Sequence, residues 1–600
     1  MSDQRAAGAA TPTPILPADR ILGAYENGHA GLLVTGRSLY DLVADGASIL
    51  TIQEHLRRRA RTRHGMAMLT YSIAAGLQWD EARVDDERDR RTIKTALHAN
   101  DLHELPAGAA ELTRVMRGIT SLMRTSAEGM VWSDGTQLRF LVLLEFAEHL
   151  TPSGEGVGRT DHEIAAVEFA HILGQSNALR QSGNLLVLHG RDGHVDELVS
   201  AAMHPIRLLQ PDEHEKASFL TLSRSIHSAA AFETGVTDAT VARLMSNTPN
   251  RSLEVQMRAS HRSGVPLTVG SLIAQKSADV IALSEGTLSL LDVRRLAGLE
   301  LVGLNTTVPL RALLGFADGL LSGDHRIPSN VLLAGPPSSG KTDCALFVAD
   351  RAKAAAYQVH SPKGGIVGET ERKARTLTGA MAEWTPNVSC IDEITEAFPL
   401  QRTDFDGDSG ASRAVMAALL TALSDESRRG RSLLIATTNC PWRIGAAMCS
   451  RFTLIPVLGP LCSDYPSIIK AIATRMVPEN SLSLDDLRES GTRFFEKGAT
   501  PREIRTALGL ALLRGRELSA EVVAEAAWDV CVVADRASAE YADLWAVRTC
   551  TSKRFFPWSG TEASYPFPEH LDGVVDRQSG ELDLHLLEQR IATLAPKANL

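Results

Sequence analysis

The sequence predicts an α/β fold in which a parallel sheet is sandwiched by helices and followed by a helical lid, with this arrangement present twice. Two observations lead to the prediction. Short apolar runs alternate with helical patterns along the chain, which is typical of a parallel α/β sheet. Three landmarks also recur in the same order in the two halves of the chain, which indicates an internal repeat.

The repeat can be followed from one half to the other. The strand pattern 141–145 parallels 388–392, the run 185–190 parallels 433–438, and Thr248-Pro249 parallels Thr500-Pro501. Glu145 and Gly190 are 45 residues apart, and Asp392 and Asn439 are 47 residues apart. The alternative is that two unrelated α/β domains share only the usual alternation of strands and helices. Three landmarks in the same order at similar spacing favour descent from one ancestor.

We therefore divide the chain into six segments. They are a flexible tail (1–20), a first α/β domain (21–210), its helical lid (211–290), a second α/β domain (291–458), a second lid (459–535) and a C-terminal extension (536–600).

The most specific motif opens the second α/β domain. The apolar run 331–334 predicts a buried strand, and the pattern after it predicts a helix. The turn between them matches G-x-x-x-x-G-K-[ST] in full, and its residues are Gly335, Pro336, Pro337, Ser338, Ser339, Gly340, Lys341 and Thr342. Backbone N–H groups of such a loop bind a polyphosphate, the lysine reaches its β- and γ-phosphates, and the hydroxyl holds Mg²⁺. A Gly/Ser turn that happens to precede Lys-Thr is the alternative.

Polar side chains end two further predicted strands. Asp392 and Glu393 follow the apolar run 388–391, and Asn439 follows the run 433–438. Parallel strands bring such ends to one edge of a sheet. There Asp392 would hold Mg²⁺ through water, Glu393 would activate the attacking water, and the Asn439 amide would position that water.

Residues 331–505 resemble AAA+ ATPases of the AAA subgroup. The matching stretches are 335–342, 367–372, 391–394 and 436–439. The general layout is also slightly similar to the second ring of the N-ethylmaleimide-sensitive fusion factor. The resemblance implies ATP hydrolysis, ATP and Mg²⁺ as cofactors, and a homo-oligomeric ring, which we expect to be a hexamer.

The same resemblance implies roles for four more residues. Gly303 would lie beside the adenine, and Ile366 would occupy the pore loop, where many AAA unfoldases have an aromatic residue. Arg451 would be an arginine finger that completes the neighbouring subunit's site, and Arg502 would sense the nucleotide. The alternatives are an ordinary turn at Gly303, a surface loop around Ile366 and a surface ion pair at Arg451.

The first copy lacks the residues that carry this chemistry. No G-x-x-x-x-G-K-[ST] precedes Leu141, Phe146 stands where Glu393 is expected, and His189-Gly190 replaces the polar asparagine. We expect this degenerate copy to bind no ATP tightly and to serve in ring assembly or partner docking.

The composition limits the possible partners. The net charge of −10 argues against a chain that coats nucleic acid, although Arg57, Arg58, Arg59 and Arg61 form a basic run. No signal peptide or membrane span is apparent, so a cytoplasmic protein is expected. The expected activity is remodelling, unfolding or dismantling of a protein client. A nucleic-acid motor and an ATP-gated scaffold that does not thread its partner are the alternatives.

Overall fold

This computed structural model describes residues 15–103, 108–125, 130–153, 159–284, 286–360, 384–398, 411–513, 517–531, 536–559 and 565–595. The chain forms two compact units, Met1–Thr268 and Val269–Leu600.

The first unit is built on a six-stranded sheet. Its strands are β1 (Gly31–Gly36), β4 (Met66–Ser72), β5 (Gly76–Trp79), β6 (Arg139–Glu145), β7 (Leu185–His189) and β8 (His204–Leu208), and a separate hairpin consists of β2 (Leu42–Asp45) and β3 (Ser48–Thr51). The sheet order is β5-β4-β6-β7-β1-β8, and every pairing is parallel except that of β5 with β4. The strands are nearly continuous apolar runs because both faces of the sheet are covered.

Helices lie on both faces of this sheet, and each face has its own hydrophobic core. The helices of the first unit are α1 (Pro17–Glu26), α2 (Ile52–His64), α3 (Glu87–Ala99), α4 (Leu112–Arg124), α5 (Ala147–Leu150), α6 (Asp161–Gly174), α7 (Asn177–Ser182), α8 (Glu197–Ala202), α9 (Glu213–Ile226), α10 (Asp238–Leu244) and α11 (Asn250–Ser263). Helix α1 starts within the segment predicted to be a flexible tail, because its apolar face packs into the core on one side of the sheet.

The second unit contains a second six-stranded sheet. Its strands are β9 (Leu288–Leu290), β10 (Asn330–Ala334), β11 (Ala355–Val359), β12 (Asn387–Ile391), β13 (Ser432–Thr438) and β14 (Thr453–Pro456). The order is β14-β10-β13-β12-β11-β9, and only β9 is antiparallel to its neighbour.

The two sheets have the same topology. If the five parallel strands of each unit are numbered along the chain, both sheets have the order 5-1-4-3-2, followed by one antiparallel edge strand. The predicted fold class, a parallel sheet sandwiched by helices and present twice, is confirmed.

The helices of the second unit include a group that forms its own core. They are α12 (Val269–Leu283), α13 (Leu304–Ser322), α14 (Lys341–Ala352), α15 (Ile394–Ala397), α16 (Ala411–Leu423), α17 (Ala446–Cys449), α18 (Tyr465–Met476), α19 (Arg488–Glu496), α20 (Pro501–Leu512), α21 (Ala520–Asp529), α22 (Arg536–Thr549) and α23 (Leu584–Leu594). Helices α18 to α21 share a separate apolar cluster, which is the arrangement expected of a helical lid. Among the described residues, no helix combines the length and the apolar character that a membrane span needs.

The two units divide at Thr268, whereas the sequence analysis placed 269–290 in the first lid. Two contacts explain the difference. Strand β9 pairs with β11, with Leu290 opposite Tyr357. The Lys276 ammonium on α12 donates to the Thr385 carbonyl at 2.8 Å. The residues that make these two contacts are distant in sequence, so local sequence patterns do not predict the contacts.

Both units have a glycine at the end of the first parallel strand that lies very close to the backbone of the adjacent chain segment. Gly335 has a φ of 157°, and a Cβ atom there would lie 2.0 Å from the carbonyl oxygen of Val457. Gly36 has a φ of 88°, and its Cβ atom would lie 2.4 Å from the carbonyl oxygen of Leu208. The same close approach at the same place in both units supports the internal repeat.

We predict that Gly335→Ala lowers the free energy of unfolding by about 2–3 kcal/mol, because backbone and carbonyl must separate to admit the methyl group. The matched control is Gly315→Ala in α13, where no atom lies within 4 Å of the new Cβ. That change should raise stability by up to about 1 kcal/mol. Urea unfolding of both variants measures the difference, and equal stability of Gly335→Ala and the wild type would contradict the prediction.

Candidate functional site

The loop between β10 and α14 has the form of an anion-binding loop. Helix α14 begins at Lys341, directly after Gly340, which has a φ of 90°. Ser338 also has a positive φ, of 59°. This backbone turns the loop around the free N–H groups at the start of the helix, where partial positive charge favours a phosphate.

Lys341 is buried and bonded to its own loop. Its ammonium donates to the carbonyl oxygens of Gly335 and Pro336, at 3.0 and 2.6 Å, and to Oδ1 of Asn439 at 2.7 Å. Burial lowers the pKa of Lys341 to about 8, although the charges of Glu393, Asp543 and Asp392 favour the charged form. A phosphate oxygen that entered the loop would find a positive charge with little competing water.

Oxygen donors for a cation lie beside the loop. Oδ1 of Asp392 accepts hydrogen bonds from the hydroxyls of Thr342, at 3.0 Å, and Thr437, at 2.7 Å. No group of three or more His, Cys, Asp and Glu side chains suited to a metal occurs in the described part of the chain. The site fits Mg²⁺, which is usually held by one or two protein oxygens together with substrate phosphates and water.

Asn439 connects this loop with Glu393. Its side-chain amide donates to Oε1 of Glu393 at 2.5 Å, and its backbone N–H donates to Oε2 at 3.1 Å. The other end of the same side chain accepts from Lys341. Burial raises the pKa of the Glu393 carboxyl, and the Asn439 contact opposes that shift. Lys341, Glu393 and Asn439 thus form one continuous hydrogen-bonded chain across three strand ends.

A cavity of about 520 Å³ adjoins the phosphate loop, between the sheet and the lid helices. Apolar side chains of both the sheet domain and the lid line the cavity, and they include Leu301, Val302, Ile472 and Met476. Two arginines of the lid, Arg475 and Arg505, also line it. An apolar slot next to a phosphate loop is suited to a flat base that is joined to a polyphosphate.

Two predicted nucleotide contacts lie beside this cavity. Gly303 adjoins the lining residue Val302, but it packs against the side chain of Asp464. Arg502 is exposed in α20, whereas Arg505, one turn later, reaches the cavity. Arg505 could have been found from the sequence, because residues 501 and 505 lie on the same face of a helix.

Arg451 lies at the opposite edge of the sheet from Lys341. Its guanidinium donates to the Ser424 hydroxyl at 2.8 Å and to the Ala447 carbonyl at 2.6 Å. The amide of Asn330, the first residue of β10, donates to the Arg451 carbonyl at 3.0 Å. Strand β10 separates this edge from the phosphate loop by roughly 13 Å. Arg451 is therefore not part of the cluster around Lys341 in its own chain, and Ile366 lies outside the described residues.

The first unit has a different structure at the corresponding edge. The hairpin β2–β3 stands between β1 and α2, where the second unit has its phosphate loop. Arg37, directly after Gly36, is 1% exposed. Its guanidinium pairs with Asp41 at 2.6 Å and with Glu215 of α9 at 2.8 Å, and it donates to the Leu42 carbonyl at 3.0 Å. This side chain already has its anionic partners inside the protein.

The strand ends of the first unit match those of the second in backbone but not in chemistry. Phe146, directly after the third parallel strand of the first unit, has a φ of 56°. Glu393, two residues after the end of the third parallel strand of the second unit, has a φ of 48°. Glu145, at the place of Asp392, accepts a hydrogen bond from the Tyr40 hydroxyl at 2.6 Å. The strand pairing places Glu145 opposite His189, so the counterpart of Asn439 is Arg191 rather than the predicted His189-Gly190.

Comparison with known proteins identifies the second unit's sheet. Residues 331–459 match the model of the family described as ATPase family associated with various cellular activities (AAA). The chain is 38% identical over 123 residues to the ATPase family gene 2 protein of Schizosaccharomyces pombe, a match that covers 20% of this chain and 15% of that protein.

Two other relatives show the same pattern. The chain is 35% identical over 158 residues to the putative ribosome biogenesis ATPase nvl of Dictyostelium discoideum, which covers 25% of this chain and 18% of that protein. It is 30% identical over 208 residues to the cell division cycle protein 48 homolog of Archaeoglobus fulgidus, which covers 33% of this chain and 28% of that protein. The chain thus spans 15% to 28% of the length of these relatives. With the phosphate loop, Asp392, Glu393 and Asn439 placed as described, residues 331–459 belong to the AAA family of ATPases.

Proposed function

We propose that this chain is an ATP-hydrolysing machine that assembles into a ring, with one active ATP site per chain, and remodels or dismantles protein complexes. The observation that carries the proposal is the hydrogen-bonded chain from Lys341 through Asn439 to Glu393, beside the Thr342 and Asp392 oxygens. These residues provide a cation to bind the phosphates, oxygens to bind a metal ion and a carboxylate to activate water, and all of them lie at one edge of the sheet.

The residues divide the reaction between them. Lys341 and the loop N–H groups bind the β- and γ-phosphates. Thr342 and Asp392 would hold Mg²⁺, which would offset the negative charge of the transferred phosphoryl group. Glu393 accepts a proton as the water oxygen bonds to the γ-phosphorus and the bond to the β–γ bridging oxygen breaks, leaving ADP and phosphate. Asn439 holds the Glu393 carboxylate in place for this step.

The position of Arg451 supports the proposed ring. A guanidinium at the sheet edge remote from Lys341 does not reach its own site. To act at the site of a neighbouring subunit, it would exchange its contacts with Ser424 and Ala447 for the γ-phosphate there. In that position it stabilises charge on the γ-phosphoryl group as the bond breaks. We take the ring to be a hexamer, in line with the family resemblance, and the protein to act in the cytoplasm.

The first unit serves assembly or partner docking rather than hydrolysis. Arg37 occupies the strand end with two internal carboxylates, so a polyphosphate there would have to displace Asp41 and Glu215. Phe146 offers no base for water. The names of the relatives support ATP hydrolysis but do not identify a client for this chain. We therefore propose only that the client is a protein.

Two substitutions separate nucleotide binding from hydrolysis. Lys341→Ala should weaken ATP binding by about 100-fold or more, because the phosphates lose their buried cation. Glu393→Gln should bind Mg²⁺-ATP and lower kcat by about 10²–10⁴-fold, because only proton removal from water is lost. Equilibrium binding of labelled ATP and phosphate release measure the two effects.

Matched controls exist nearby. Lys353→Ala, past the end of α14, and Glu396→Gln, one turn after Glu393, alter exposed side chains of the same kinds. Both controls should behave as the wild type. A Glu393→Gln protein that turns over ATP at the wild-type rate would remove Glu393 from the proposed role.

Arg451→Ala should lower ATP hydrolysis by about 10³-fold or more in a homogeneous ring. A mixture of equal amounts of Arg451→Ala and Lys341→Ala chains should recover activity after subunit exchange. About a quarter of the interfaces then join an intact Lys341 to a neighbour's intact Arg451. The rate of phosphate release at several mixing ratios measures the recovery.

The control for this experiment is Arg429→Ala, an exposed arginine that pairs with Glu426. It should retain wild-type activity alone and should not change the recovery. If subunits exchange but the mixture stays as inactive as the separate mutants, Arg451 does not act across the interface.

A further inference from the structure

The C-terminal extension packs onto the link between the sheet and the lid of the second unit. Strand β14 ends at Pro456, and the lid helix α18 begins at Tyr465. Gly459 lies in the link between them, beside the cavity residue Pro460. This link joins the last strand of the sheet directly to the first helix of the lid, so a movement of the lid relative to the sheet changes its backbone conformation.

One backbone group of Gly459 is bound by the extension directly. The Gly459 N–H donates to Oδ1 of Asp543 at 3.0 Å. Asp543 lies on α22 and is only 5% exposed. Its other oxygen lies 3.1 Å from Nε2 of His570, which holds the carboxylate from the far side. A buried carboxylate is thus aimed at a single backbone N–H of the link.

The other backbone group of Gly459 is bound through a relay. The side-chain amide of Asn305, in the first turn of α13, donates to the Gly459 carbonyl. The Asn305 Oδ1 accepts from the Tyr565 hydroxyl at 2.7 Å. Tyr565 is 3% exposed. Both polar groups of Gly459 therefore depend on side chains whose positions the extension determines.

The extension is itself firmly anchored to the sheet. Trp558 is 1% exposed, stacks on Phe556 with ring centroids 4.5 Å apart, and lies 5.7 Å from the Tyr565 ring. The same apolar cluster includes Ala334, the last residue before the phosphate loop, and Leu458, next to Gly459. The extension thus reaches the two chain segments that lie on either side of the ATP site.

We propose that Asp543 and Tyr565 are positioning residues for the ATP site: they hold the Gly459 link so that the lid keeps the base cavity in its binding shape. The inference rests on the proposed ATPase function. It assigns the extension a part in nucleotide affinity, which neither its sequence nor the family match, ending at residue 459, indicates.

Different parts of the second unit determine the affinity for ATP and the rate of hydrolysis. The cavity is shared by sheet residues such as Leu301 and lid residues such as Ile472, so its shape depends on the link. Lys341, Glu393 and Asn439 all belong to the sheet and contact one another without the lid. Loosening the link should therefore raise KM for ATP and leave kcat nearly unchanged, when substrate dissociation is faster than chemistry.

The test uses the full-length protein with three substitutions. Asp543→Ala and Tyr565→Phe should each raise KM for ATP by about three- to tenfold, with kcat within about twofold of the wild type. Asp543→Asn keeps an oxygen acceptor for the Gly459 N–H, so it should restore most of the affinity. Hydrogen exchange should rise in peptides that contain Gly459 and stay unchanged in the lid core.

Tyr541→Phe is the control, because Tyr541 lies on α22 in the same extension and its hydroxyl makes none of these contacts. It should leave KM and exchange at Gly459 unchanged. Wild-type KM and exchange in both Asp543→Ala and Tyr565→Phe would overturn the inference, and so would a fall in kcat at constant KM. If the wild type hydrolyses no ATP, the proposed function fails instead, and hydrogen exchange at Gly459 still decides whether the two residues hold the link.

Discussion

The side chain of Asn439 makes the contact on which the proposed ATP site depends. One end accepts from the Lys341 ammonium and the other donates to Glu393, so a single amide fixes a cation and a carboxylate that come from different strands. Burial disfavours the charged form of both groups, which appears as the lowered pKa of Lys341 and the raised pKa of Glu393. Contact through a neutral amide keeps the two opposite charges close without letting them pair directly. The carboxylate then stays available to accept a proton.

The first unit has the same strand order and lacks this arrangement. After Gly36 the chain continues into Arg37 and a hairpin, and Arg37 is neutralised by Asp41 and Glu215. Because Glu215 lies on α9, the ion pair joins the sheet edge to the following helices within that unit. The guanidinium of Arg37 thus binds carboxylates of the protein itself, and a phosphate would have to compete with them. We interpret the first unit as a copy in which internal ion pairs stabilise the strand edge.

Sequence patterns predicted the parts of the site that depend on short segments. The loop 335–342 and the strand end at Asn439 follow from local order, since strand, turn and helix lie consecutively in the chain. Arg37 was missed because a single arginine after a glycine has no signature, and one of its two carboxylates, Glu215, lies 178 residues away. Asp543 was missed for the same reason, as it lies 84 residues from Gly459. These contacts are set by tertiary packing, which hydrophobic periodicity does not encode.

We propose that each chain holds one ATP, in the second unit. Labelled ATP bound at saturation to full-length Glu393→Gln protein, with Mg²⁺ and a known active fraction, counts the sites without loss to hydrolysis. We expect one ATP per chain. Two ATP molecules per chain would contradict the silent first unit, and no bound ATP would contradict the site built around Lys341 and Asn439.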